Sequence, residues 1–120
     1  MKRLIAIAAL LVMLPVNASA FDKMDRVDTG MLAAYTVLHV MDWRQTRQIA
    51  KNPNVYWERN PLLGKHPSVS RVNKYMLASL ATTAAFTYGL PKKYRRIFLG
   101  ASITVTGSLV VHNFNIGLRF

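Results

Sequence analysis

His39, Asp42 and Glu58 are the residues best equipped for chemistry in this chain. An imidazole one helical turn from a carboxylate, with a second carboxylate in the next segment, suits general acid–base work or metal ligation. His66 and His112 are further imidazoles in reserve. No motif backs either use. The His-x-x-x-His and Glu-x-x-His spacings of zinc or iron sites are absent, so neither a metal nor a cofactor is assigned. Nucleophilic catalysis needs a Ser or Thr beside a His with an orienting carboxylate. The chain has no Gly-x-Ser-x-Gly turn and no Gly-rich phosphate loop. An intramembrane or membrane-surface enzyme using His39, Asp42 and Glu58 is therefore the second reading.

The first reading is a buried polar network. His39, Asp42, Gln45 or Thr46, and Ile49 fall three or four residues apart and share one helix face. Asp42 follows an apolar run from Met31 to Met41 that only Thr36 and His39 interrupt. A carboxylate at such a membrane boundary is costly without a partner, expected here to be an Arg, Thr or His of a neighbouring helix. Glu58 and Asn60 extend the set through Glu58-x-Asn60-Pro61. The candidate network is thus His39, Asp42, Gln45, Thr46, Glu58 and Asn60.

Composition says what holds these residues. The 120-residue chain has 16 Lys and Arg against 5 Asp and Glu, yet 52% of it is hydrophobic. Nucleic-acid binders rarely combine such charge with long apolar runs. Here the basic residues flank apolar segments, as in membrane proteins. The expected partners are the lipid bilayer and either another membrane protein or a second copy, not nucleic acid. Absence of Cys removes disulfides and thiolate chemistry.

Met1 to Ala20 matches a secretory signal peptide. Lys2 and Arg3 give the positive start, Leu4 to Leu14 an apolar run too short to span, and Ala18-Ser19-Ala20 the small residues of a cleavage site. The mature domain is then 21–120. The sequence predicts an all-α fold with helices over about 30–50, 69–90 and 94–112. Asp28 or Thr29 is expected to cap the first, and Ser68 the second. Lys51-Asn52-Pro53-Asn54 ends the first helix beside the interfacial pair Tyr56-Trp57. Pro91 ends the second helix, and Lys92-Lys93-Tyr94-Arg95-Arg96 reads as a basic turn. The small residues of the last two runs suit close packing as an antiparallel membrane hairpin.

The tail dissents. His112, Phe114, Ile116, Leu118 and Phe120 alternate with Asn113, Asn115, Gly117 and Arg119. This resembles the closing strand of a bacterial outer-membrane β-barrel, whose eight or so strands the helical runs elsewhere contradict. Charge orients the helices. Arg44 to Lys74 carries seven basic residues and one acid, and the turn after Pro91 carries four basic residues and none. The larger excess places the long loop in the cytoplasm and the turn outside.

With His39-x-x-Asp42-Trp43-x-Gln45-Thr46 and Glu58-x-Asn60-Pro61-x-Leu63-Gly64 in view, the chain resembles a group of small uncharacterised helical membrane proteins of bacteria and phages. The resemblance covers about Met31 to Leu90 and implies about three spans, but no activity. The whole sequence thus reads as a small α-helical membrane protein with a cleaved signal and two to three membrane-embedded helices. Its expected seat is the bacterial inner membrane after Sec-type export. Its expected role is structural or regulatory, through helix–helix contacts. A phage-type pore or lysis-associated product is a third reading, and a small outer-membrane β-barrel subunit a fourth.

Overall fold

The computed structural model describes residues 23–119. The expected signal peptide and its cleavage site lie outside the described residues. Among the described residues three helices follow one another: α1 (Arg26–Lys51), α2 (Val69–Gly89) and α3 (Lys92–Asn115). Among the described residues there is no strand. The all-α expectation holds, and the β-barrel reading does not.

The start of α1 comes earlier than expected, and its cap is Asp25 rather than Asp28 or Thr29. Asp25 accepts from the Asp28 amide at 2.8 Å while Asp28 accepts from the Asp25 amide at 3.2 Å. This reciprocal pair satisfies two amide groups that a helix start leaves open. Asn52 closes the other end by donating to the Gln48 carbonyl at 2.8 Å. Ser68 caps α2 as expected, its hydroxyl accepting from the Arg71 amide at 3.1 Å. The supposed basic turn is instead the first part of α3. Pro91 occupies the N-cap of α3, where its fixed φ and missing N–H cost nothing.

The alternating tail is not a strand. Helix α3 runs through His112 to Asn115 and ends in a turn at Gly117, whose φ of 98° suits glycine. The Leu118 amide then donates to the Asn113 carbonyl at 2.9 Å, and the Leu118 side chain is buried. A period of two over nine residues carries little weight where no strand among the described residues takes up the backbone bonds.

Helix α1 is the hub. It packs most extensively on α3 and next on α2, whereas α2 and α3 meet more sparingly. Their contacts with each other include the Phe86–Phe98 ring pair near the link, with centroids 5.8 Å apart. A small apolar core of Leu63, Val72 and Met76, flanked by Trp43, Ala50 and Tyr75, joins α1, the long loop and α2.

Polarity elsewhere runs against the usual order. Asp28, Gln45, Thr87 and Arg95 are completely buried, while Val37, Leu77, Ile97, Val105 and Val111 are more than half exposed. Charged side chains are almost never fully buried unless paired, and large exposed apolar patches mark contact surfaces. Among the described residues one helix, α3, is long and apolar enough to cross a membrane.

Candidate functional site

The face that carries His39, Asp42 and Thr46 on α1 looks into a cavity of about 370 Å³. Helices α1, α2 and α3 form its walls, and the loop from Trp57 to Leu63 closes one side. Helical periodicity aligns the α1 residues, and the loop's own hydrogen bonds fix its conformation. The Glu58 amide donates to the Lys65 carbonyl at 2.8 Å, which pinches the loop closed. Glu58 accepts from the Asn60 amide at 2.8 Å, and the Asn60 side-chain oxygen accepts from the Leu62 amide at 3.0 Å. Asn60 also donates to the Tyr75 hydroxyl at 3.0 Å, tying the loop to α2. Such side-chain-to-backbone bonds are how Asn and acidic residues set turns.

His39 serves as a pin between helices. Its Nε2 donates to the Met76 carbonyl at 2.8 Å, and its Nδ1 lies 3.2 Å from the Tyr35 hydroxyl. The Tyr35 hydroxyl in turn lies 3.1 Å from that of Thr83. Both ring nitrogens are thereby engaged, and neither touches Asp42. The hydrogen bonds of a Ser–His–Asp relay are therefore not formed by His39 and Asp42 here.

Asp42 accepts from Thr46 on its own helix and from Asn113 on α3, each at 3.3 Å. In place of the expected Arg, Thr or His of a neighbouring helix, the partner across the bundle is Asn113, the side chain that α3 presents at that level. Gln45 lies behind the cavity. It accepts from Asn113 at 3.2 Å and donates to the Val110 carbonyl at 3.4 Å. Asn113 thus bridges Asp42 and Gln45, and satisfies polar groups that the apolar surroundings cannot. His39, Asp42, Thr46, Glu58 and Asn60 all border the same cavity, with Gln45 one layer back. His112 joins them and lies 3.3 Å from Arg59 through its Nε2, whereas His66 stays exposed on the loop. No group of three His, Asp or Glu residues converges to hold a metal among the described residues.

A second polar cluster, which the sequence does not announce, lies at the opposite end of the bundle. Arg95 is completely buried and donates to Asp28 at 3.1 Å and to the Thr87 carbonyl at 2.5 Å. Arg96 donates to Asp28 at 3.1 Å and to Asp25 at 2.6 Å, and Lys92 meets Asp25 at 2.6 Å. The Lys92 ammonium, the Asp28 amide and the Arg96 charge hold the Asp25 carboxyl well below the usual carboxylate range. The signal that could have found it is Asp25-x-x-Asp28 opposite Arg95-Arg96. By sequence Asp28 looks like a cap and the arginines like a solvated turn, because nothing local pairs segments about seventy residues apart.

No protein-family model, curated protein or solved structure matches this chain.

Proposed function

We propose that this chain is a small integral membrane protein of the bacterial envelope, structural or regulatory in role, that works through contacts between its helices. The observation that carries the reading is the inverted polarity of the bundle. Its interior holds Asp28, His39, Gln45, Arg95 and Asn113, while valines, leucines and isoleucines face outward. In lipid an outward apolar belt costs nothing and inward polar groups find partners, so this order is the stable one.

The finer points of the reading follow from charge. Signal cleavage after Ala20 leaves a mature chain with two to three helices embedded in the inner membrane. The Arg44–Lys74 region, rich in basic residues, stays in the cytoplasm. Lys92, Arg95 and Arg96 at the other end are engaged with Asp25 and Asp28, which eases the competing claim of that end on the cytoplasm. Trp57, with Lys65 over its ring at 5.3 Å, suits a headgroup position.

Alkaline extraction of membranes expressing the full chain is the test. Retention in the membrane pellet is expected, together with opposite reporter signals from fusions at Lys65 and Lys93. Release into the supernatant overturns membrane integration. The same compartment at both sites overturns the topology.

A further inference from the structure

Two carboxylates share the cavity wall, and among the described residues no cation forms an ion pair with either. Asp42 meets only Thr46 and Asn113, and Glu58 only the Asn60 amide. Every ion pair among the described residues lies at the other end of the bundle, on Asp25 and Asp28. Arg59 also lines the cavity, but its Nη1 lies against His112 Nε2 at 3.3 Å and not against either carboxylate. Asp42 and Glu58 both line the one cavity. A pair of like charges inside a partly enclosed site is unfavourable unless something positive or a proton joins them.

The rest of the wall says what would fit. Tyr35, Trp57 and Tyr75 bring aromatic rings to the cavity, and Leu109 contributes aliphatic surface. Aromatic faces attract cations, most strongly where water is scarce. A volume of about 370 Å³ lies at the small end of ligand pockets. The donors do not converge as metal ligands do. We infer that the cavity bounded by α1, α3 and the Trp57–Leu63 loop is a binding site for a small organic ammonium ion, its charge between Asp42 and Glu58 and its apolar body against the aromatic wall. This inference is independent of the envelope role proposed above.

Three isosteres test it on the unaltered full chain in detergent by titration calorimetry: phenethylammonium, 2-phenylethanol and phenylacetate. Saturable binding of phenethylammonium is expected, at least tenfold tighter than either of the others. Asp42→Asn and Glu58→Gln, which keep size and hydrogen bonding, should each weaken that binding tenfold or more at unchanged helical circular dichroism. Equal binding of the alcohol means an unspecific apolar pocket, and preference for phenylacetate means that Arg59 and His112 define the site. Either result overturns the inference, as does no saturable binding or full affinity in both variants. The comparison of isosteres stands even where a variant does not fold.

Discussion

At the link end of the bundle, Asp25 and Asp28 meet Lys92, Arg95 and Arg96 at 2.6–3.1 Å. At the loop end, Asp42 and Glu58 meet only neutral donors. All but Glu58 of these acids belong to α1 or its cap, and Asp28 and Asp42 sit about 21 Å apart along it at 1.5 Å per residue. One end spends its charges on joining the three helices. The other leaves two carboxylates without an ion pair beside a cavity. Groups that serve only the fold tend to be fully partnered, whereas incompletely partnered polar groups are where function is sought.

That contrast makes unequal predictions. Asp28→Ala should have the largest effect, because it removes a buried carboxylate to which the completely buried Arg95 donates. Removing one member of a buried pair costs about 3 kcal/mol or more. The low end applies here, since Asp25 and Arg96 beside it reach solvent. Chemical denaturation in detergent measures the loss, and a change below about 1 kcal/mol, the worth of an ordinary hydrogen bond, would place this cluster on a par with the loop end.

Gly64→Ala comes next. Gly64 has φ of 83° in the loop that closes the cavity, with open space around its Cα. The penalty is therefore backbone strain alone, about 1 kcal/mol. The same denaturation assay should register it. No change would mean that the loop contributes little to global stability.

Asp42→Asn should cost less than about 1 kcal/mol, because an amide oxygen still accepts from Thr46 and Asn113 and no cation is stranded. Asp42→Ala should cost more, since it leaves the Asn113 side chain short of an acceptor. Melting the two variants against the parent checks the order. An Asp42→Asn loss as large as that of Asp28→Ala would erase the distinction between the ends.

The smallest effect belongs to pH. The folded-state pKa of Asp25 is depressed, so its contribution is fully present above the unfolded value near pH 4 and is lost as pH falls below it. Asp25→Asn should flatten the acid limb of a stability-versus-pH curve by slightly lowering the neutral-pH plateau while leaving stability at low pH nearly unchanged, the change being small because partly exposed pairs contribute little. An unaltered acid limb would show that Asp25 does not titrate with folding.

The sequence by itself determined the helices, the Ser68 cap, the breaks at Pro53 and Pro91, and the alignment of His39, Asp42 and Thr46 on one face. Each of these follows from local spacing, capping chemistry or proline geometry, and none needs a distant partner. Glu58 and Asn60 also reach the predicted neighbourhood, because turn chemistry is local as well. Only the tertiary structure decided the partners. Arg95 answers Asp28 across 67 residues, and Asn113 rather than an arginine answers Asp42 across 71. The tail illustrates the limit: its period of two described a strand, but the backbone found its bonds within α3 and turned at Gly117. Pairing between distant segments depends on how α1 packs against both other helices, and that geometry is written in no short stretch of residues.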